Sequence, residues 1–209
     1  MTLLRVDASI QGPGSQSSAL ADLVVEEYAA ARPGEPVVTR HLGQHPLPSD
    51  AWSLALGANA TPEDERTPAQ ADALRLAHTV AAELREADHA VLALPLYNFG
   101  VSQHVKTWFD LALVPDANER LLDGTPTVLV TTRGGAYGPG TPREGWDHNT
   151  DYLRRILVDK WGADLEVVER EFTLVGVNPA LDAFTEEAEL LRKRAEEAAV
   201  EAGRLLASA

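Results

Sequence analysis

Five short apolar runs alternate with helical segments along this chain, and this alternation limits its fold more than any other feature. The runs are rich in Val and Leu and cover residues 3–9, 36–42, 89–95, 125–132 and 164–172. The segments with helical periodicity cover residues 17–32, 68–87, 101–114, 151–161 and 181–206. Because the third and fourth runs are almost continuously apolar and helices lie in the crossovers, the pattern predicts a parallel sheet covered on both faces.

The length of the chain selects among doubly wound folds. With 209 residues it is long enough for one domain with its own core. We therefore predict a single α/β domain over residues 1–209, a flavodoxin-like doubly wound sheet of five parallel strands in the order 2-1-3-4-5 with helices on both faces. In such a sheet, ligands bind outside the carboxyl ends of the strands, where the winding reverses. The turns after strands 1, 3 and 4 are expected to converge there.

Composition excludes several classes of function. The chain has no Cys, so it has no thiol nucleophile, thiolate metal site or disulfide. Its formal net charge of -14 opposes binding to nucleic acid or to an anionic membrane. The sequence shows neither a secretory signal nor a run of about 20 apolar residues, so we expect a cytoplasmic protein with no membrane partner.

The first of the three turns, SIQGPGSQSS, combines glycines with hydroxyl side chains at a predicted helix start. Gly12 and Gly14 allow a tight bend, and Ser15, Gln16 and Ser17 follow where free N–H groups and the helix dipole favour an anion. The turn lacks the Lys of a P-loop and the glycine spacing of a dinucleotide fingerprint, so it suits one monophosphate. A plain helix cap with a turn is an equally good interpretation of these residues.

The second turn, PLYNF, follows the third strand at residues 95–99. Tyr97 and Phe99 flank Asn98 at the predicted crevice, where a planar conjugated ring can lie along them. Backbone N–H groups in such a turn can donate to a ring nitrogen of a flavin. A lone aromatic pair would more simply plug the end of a strand, but the position of this pair at the switch point favours a binding role.

The third turn, TTRGGAYGPG, follows the fourth strand. Gly134 and Gly135 allow the backbone to approach the edge of a flat ligand, and Arg133 adds positive charge near a carbonyl that becomes negative on reduction. A mobile surface turn is the alternative interpretation.

The remaining polar residues indicate neither metal nor hydrolase chemistry. The serines lie in a phosphate-type turn rather than in a GxSxG elbow. No metal motif such as HExxH fits the spacing of His41, His45, His78, His89 and His148. We therefore assign no metal site and expect that the protein is not a hydrolase.

The turns together resemble the FMN-dependent NADH-azoreductase family, also described as NAD(P)H:quinone oxidoreductases, among the flavodoxin-like flavoproteins. The resemblance covers most of the chain and is carried by ASI with SQS, by RTPAQADAL, by RGG and, most specifically, by LPLYNFGVS. It implies an enzyme that binds FMN, takes electrons from NADH or NADPH, and reduces quinones or related conjugated aromatics, including azo compounds, by a ping-pong mechanism. It also implies a homodimer with active sites at the subunit interface and hydride chemistry carried by the flavin.

The resemblance also implies roles for individual residues. The positions that match the FMN phosphate cradle are Ser9, Ser15, Gln16 and Ser17. Those that match the turn along the isoalloxazine ring are Pro95, Leu96, Tyr97, Asn98 and Phe99, and those that match the loop at its pyrimidine side are Thr132, Arg133, Gly134 and Gly135.

The chain departs from the family pattern at residues 115–124. PDANERLLDG stands there in place of a longer segment that overhangs the substrate in the family. This implies a more open pocket, with Tyr137 and Trp146 as candidate lining residues or as contacts to a partner subunit. The alternative function is a homodimeric accessory or tailoring protein in a biosynthetic pathway, with altered or lost reductase turnover.

The helical segment 101–114 gives a separate reason to expect a homodimer. Its large apolar residues exceed what one face against a sheet requires, so part of the segment is predicted to meet a second subunit. These residues are Val101, Val105, Trp108, Phe109 and Ala112.

Overall fold

The computed structural model describes all 209 residues and has a sheet of five parallel strands at its centre. The strands are β1 (Leu3–Asp7), β2 (Val37–His41), β3 (His89–Ala93), β4 (Pro126–Thr132) and β5 (Asp164–Arg170). Their order is β2-β1-β3-β4-β5, which confirms the predicted fold. Each strand is one or two residues shorter than predicted at one or both ends, because the polar turns begin earlier than the apolar pattern stops.

Six α-helices surround the sheet. They are α1 (Gln16–Ala31), α2 (Ala51–Asn59), α3 (Pro68–Arg85), α4 (Gln103–Ala112), α5 (Thr150–Arg154) and α6 (Thr185–Ser208). A π-helical segment, Arg155–Lys160, continues α5, and short 3-10 turns occupy Gly12–Gly14, Glu63–Glu65 and Pro179–Phe184.

Two features of the helices differ from the sequence prediction. The prediction missed α2, whose buried face consists of small residues, Ala51, Ala55 and Ala58, and whose N-cap Asp50 makes no side-chain capping bond. The last helix begins at Thr185 rather than at residue 181 because a 3-10 segment, capped by Asn178, precedes it. In α2 the long apolar side chains of Trp52 and Leu56 are exposed while small residues face the core, so the apolar pattern does not mark the buried face of this helix.

Apolar side chains fill both faces of the sheet. On one face, α3 and α4 enclose a cluster in which the rings of Trp108, Phe109 and Trp161 lie 5.1 to 5.6 Å apart. On the other face, α1 and α6 approach so closely that a Cβ at Gly203 would lie 2.6 Å from the carbonyl oxygen of Val24. The backbones of α1 and α6 therefore pack directly against each other, because Gly203 has no side chain.

The apolar residues of α4 are buried within the chain itself. Val105, Trp108, Phe109 and Ala112 are each 1% exposed. Trp161, which follows the π-helical segment, packs edge-on against the rings of Trp108 and Phe109 and covers the part of these side chains that the sheet leaves uncovered. The premise that this helix carries surplus apolar surface for a second subunit is therefore wrong.

None of the helices combines the length and the apolar character that crossing a membrane requires.

Candidate functional site

A cavity of ≈ 470 Å³ lies at the carboxyl ends of β1, β3 and β4, where the winding of the sheet reverses. Its volume falls within the range of about 300 to 1,000 Å³ that is typical of small-molecule sites. The three predicted turns line it together with a segment after β5. The lining residues are Ser9, Gln11, Gly14, Gln16, Ser17, Pro95, Leu96, Tyr97, Asn98, Phe99, Thr132, Gly134, Tyr137, Arg143, Thr173, Leu174 and Val177.

One end of the cavity is formed by the turn after β1 and the start of α1. We call its residues, Ser9, Ser15, Gln16 and Ser17, the helix end. The Ser15 hydroxyl caps α1 by accepting from the Ser18 N–H at 3.1 Å and lies 3.2 Å from the Ser17 hydroxyl. The N–H groups of Gln16 and Ser17 have no acceptor within the chain. Free N–H groups, a helix dipole and a hydroxyl are the donors that a phosphate group requires.

The turn after β3 is a two-residue hairpin with a strained backbone. Tyr97 and Gly100 exchange two N–H to carbonyl bonds of 3.0 Å, and the two residues between them have positive φ, 47° at Asn98 and 72° at Phe99. Positive φ at both central positions is the geometry of a type I′ turn, which Gly and Asn adopt readily and an aromatic residue does not. The N–H groups of Asn98 and Phe99 make no hydrogen bond within the chain.

The hydroxyl of Tyr97 joins this hairpin to the turn after β1. It accepts from the Ile10 N–H at 3.1 Å and lies 3.3 Å from the Ser9 hydroxyl, which itself accepts from the Gln11 N–H at 3.2 Å. The first and second turns are therefore held in one arrangement by side-chain hydrogen bonds.

The turn after β4 approaches the segment after β5. A Cβ at Gly134 would lie 2.6 Å from a methyl carbon of Leu174, so only glycine fits this position without displacing that side chain. The Leu174 N–H donates to the carbonyl of Gly134 at 3.2 Å, and the Thr173 N–H donates to that of Arg133 at 3.1 Å. This contact brings residues 173–177 to the cavity wall.

The guanidinium of Arg133 is held in an ion-pair cluster and does not line the cavity. It lies 2.7 Å from Asp147, 3.0 Å from Glu169 and 3.3 Å from Glu171, and is 9% exposed. Burial alone would lower the pKa of Arg133, but Glu169 and Asp147 outweigh burial and raise it above its usual value. Because three carboxylates surround it, the side chain fixes the backbone of this turn and adds little positive charge to the cavity.

Asp147 connects this cluster to the start of α5. Its carboxylate accepts from the N–H groups of Asn149 and Thr150 at 2.8 and 2.9 Å. Burial would raise the pKa of Asp147, but these hydrogen bonds, the Thr150 hydroxyl and Arg133 together lower it below its usual value. The loop between β4 and α5 is therefore fixed at both of its ends.

The other end of the cavity is aromatic, and three of its four residues are exposed while Tyr137 is buried. We call Phe99, Tyr137, Arg143 and Trp146 the aromatic rim. The Phe99 ring lies 5.3 Å from Trp146 and 6.4 Å from Tyr137, both edge-on. The guanidinium of Arg143 lies 5.8 Å from the Phe99 centroid and 5.7 Å from that of Tyr137, and it forms no ion pair. The rim therefore presents apolar rings and one cation.

The structure brings most of the predicted site residues to the cavity. Ser15, Gly135 and Trp146 lie beside its lining, and the Arg133 side chain points into the ion-pair cluster. The lining residues that sequence analysis missed are Gln11, Arg143, Thr173, Leu174 and Val177. Since ligands bind at the carboxyl ends of strands, the end of β5 was a signal for the last three. Residues 115–124 contact Trp161 and Gly162 instead of the cavity.

No group of three or more His, Asp or Glu side chains is positioned to hold a metal ion.

Fold and cavity together define a flavodoxin-like protein with a binding site at its switch point, and comparison with known proteins gives the family. Residues 1–195 match a family described as "Flavodoxin-like fold". An FMN-dependent NADH:quinone oxidoreductase of Frankia alni is 38% identical over 203 residues, covering 94% of this chain and 95% of that protein. One of Streptomyces coelicolor is 34% identical and covers 95% and 92%. The chain belongs to this oxidoreductase family, which confirms the resemblance seen in its motifs.

Solved structures agree on the fold. The azoreductase AzrA superposes with a TM-score of 0.78 at 22% identity and full coverage of both chains. An FMN-dependent NADH-azoreductase from Bacillus anthracis, solved in complex with FMN, has a TM-score of 0.72 at 21% identity and covers 98% of this chain and 99% of that one. At these identities the likeness establishes the fold alone.

Proposed function

We propose that this protein, one domain over residues 1–209, is an FMN-dependent NADH:quinone oxidoreductase. The relatives that cover nearly its whole length carry that name. The observation that carries the proposal is the position of the cavity, which lies at the winding reversal with free N–H groups at one end and an aromatic rim at the other. The phosphate of FMN suits the free N–H groups at the helix end, and the flat ring of FMN suits the aromatic rim.

The residues of this chain would bind and orient the cofactor. The helix end would hold the phosphate through the N–H groups of Gln16 and Ser17 and the serine hydroxyls. The free N–H groups of Asn98 and Phe99 suit a nitrogen or carbonyl at the ring edge, and the hairpin fixes the backbone that carries them. Gly134 lines the cavity and, without a side chain, would let the backbone approach the ring. Bound FMN would supply the redox chemistry, which is hydride transfer from a nicotinamide and two-electron reduction of the acceptor.

The absorption spectrum tests the proposal directly. The purified protein is expected to bind one FMN per chain, and the visible flavin absorbance should fall on anaerobic addition of NADH and return on addition of a quinone. A protein that binds no FMN contradicts the proposal. A flavin that NADH does not reduce would favour the accessory or tailoring protein.

A ping-pong mechanism follows from shared access to the flavin. The aromatic rim is the exposed part of the cavity wall, so donor and acceptor would reach the flavin beside it in turn. Parallel double-reciprocal lines for NADH and a quinone are expected, and intersecting lines would contradict the mechanism. We also expect quinones to react faster than azo dyes such as methyl red, because a planar quinone stacks on an exposed ring without further support.

We also propose a homodimer that completes the site at its open side. Large apolar side chains remain exposed around the cavity, with Trp146 at 51% and Val177 at 74%. Exposed apolar residues clustered at one site are typical of interaction surfaces. Sedimentation at micromolar concentration should give twice the chain mass of 22.5 kDa. A 22.5 kDa species alone would exclude the shared site.

A further inference from the structure

Arg170, the last residue of β5, lies beside the helix end of the cavity. Its Nη1 donates to the side-chain oxygen of Gln16, at the first position of α1. Its Nε is buried and has no acceptor within the chain. The guanidinium forms no ion pair with any carboxylate. A partly buried cation therefore adjoins the free N–H groups of Gln16 and Ser17.

Two other partly buried arginines, Arg5 and Arg133, are neutralised by direct contact with carboxylates. Arg5 pairs with Asp7 and Asp22 at 2.6 Å, and Arg133 contacts three carboxylates. Arg170 differs, although the chain carries a net charge of -14 and acidic groups are abundant. Burying a cation without an anion is unfavourable, so the absence of an ion pair at Arg170 needs an explanation.

The surroundings of Arg170 increase this cost. Burial lowers the pKa of its guanidinium, and the nearby charge of Arg192 lowers it further, while Glu196 and Glu189 oppose both effects from a longer distance. An arginine remains charged at neutral pH in spite of such shifts. No carboxylate contacts Arg170 directly, so this end of the cavity keeps a cation without an ion-pair partner.

We propose that Arg170 is a positioning residue for the phosphate of the cofactor. It holds the side chain of Gln16 at the start of α1 and supplies the positive charge that the serine hydroxyls and N–H groups lack. This inference rests on the flavin binding proposed above. It requires that Arg170 act on FMN through the phosphate group, and not through the ring or through the stability of the fold.

Comparison of FMN with riboflavin isolates the phosphate, because riboflavin has the same ring and lacks that group. The full-length protein is loaded with either flavin, diluted, and the dissociation constant is read from the fluorescence of the released flavin. Arg170→Gln removes both the charge and the charge-assisted hydrogen bond that orients Gln16, so the dissociation constant for FMN should rise about tenfold and that for riboflavin should change less than about twofold. Arg170→Lys keeps the charge but loses the planar fork, so an increase of about threefold is expected for FMN.

The matched control is Arg194→Gln on α6, which removes the same charge from an exposed side chain that forms no ion pair. It should leave both flavin affinities unchanged. Unchanged FMN affinity in Arg170→Gln, or an equal loss for FMN and riboflavin, would overturn the inference and leave the proposed function standing. Absence of FMN binding in the unchanged protein would contradict both the inference and the proposed function.

The fold is checked separately by thermal unfolding. If Arg170→Gln lowers the unfolding temperature equally with and without FMN, and Arg170→Lys does the same, the residue is structural and the inference fails. If Arg170→Gln reduces only the increase in unfolding temperature that FMN causes, the result supports the inference.

Discussion

The two ends of the cavity are built in opposite ways. At the helix end, Ser15 is 5% and Ser17 0% exposed, and their hydroxyls are fixed by hydrogen bonds to each other and to the start of α1. At the aromatic rim, Phe99 is 37% and Trp146 51% exposed, and ring contacts hold the side chains. A buried, preorganised end suits a group that stays bound, and an open rim suits reactants that exchange.

The largest effect is expected at the helix end. Replacing Ser15 and Ser17 together by Ala should raise the dissociation constant for FMN by tenfold or more, because each hydrogen bond to a charged phosphate contributes about 1.5 to 3 kcal/mol. Fluorescence titration with FMN measures this change.

The control for the double variant is Ser18→Ala, since the Ser18 hydroxyl makes no hydrogen bond within the chain and does not line the cavity. Loss of the Ser15 cap should itself cost about 1 kcal/mol of stability, which thermal unfolding without flavin reports separately. Unchanged FMN affinity in the double variant would contradict a phosphate site at this end.

The next largest effect, a loss of stability, is expected at the ion-pair cluster around Arg133. Asp147→Asn should lower the free energy of unfolding by about 2 kcal/mol, because Arg133 loses its shortest ion pair but keeps two carboxylates. Urea unfolding at pH 7 measures the loss. Asp151→Asn, an exposed change in the first turn of α5, serves as the control and should cost less than about 0.5 kcal/mol.

The ion pair between Arg133 and Asp147 also predicts how the free energy of unfolding depends on pH. The pKa of Asp147 is lower in the folded chain than its usual value, so its contribution is complete above the unfolded pKa, near 4, and is lost as pH falls through the folded pKa. The difference between the unchanged protein and Asp147→Asn should therefore be constant from pH 7 to about pH 5 and shrink below about pH 4. A difference that persists at low pH would assign the effect to packing.

The helix end was largely predictable from sequence, and the rim was only partly so. Ser15, Gln16 and Ser17 lie next to each other at the start of one helix, so a ten-residue sequence pattern is enough to predict their arrangement. Phe99, Tyr137 and Arg143 meet through contacts between separate loops, which no local pattern encodes. Arg133 shows the same limit, because its partners Glu169 and Glu171 lie on and beyond the next strand.

The hairpin between the two ends allows a smaller, backbone test. Asn98→Val should destabilise the fold by about 1 to 2 kcal/mol, since a β-branched residue is strained at a φ of 47°. Asn98→Gly should stay within about 0.5 kcal/mol, because Gly adopts positive φ freely. Urea unfolding of both variants measures the contrast. Equal stabilities would show that the hairpin relaxes out of its strained geometry.

The smallest effect is expected at Arg143, the one cation that lines the cavity. Its exposed guanidinium lies above the rings of Phe99 and Tyr137, so it should attract an anionic group on an aromatic acceptor stacked beside them. Arg143→Gln should lower kcat/KM two- to fivefold for a sulfonated naphthoquinone and leave that for its uncharged parent unchanged, because exposed charge pairs are worth about 0.2 to 1 kcal/mol. Arg143→Lys should restore most of the loss, and added salt should reduce the difference between the two quinones. An equal loss with both quinones would mean that Arg143 acts by packing the rim, and a higher KM for NADH alone would assign its charge to the donor.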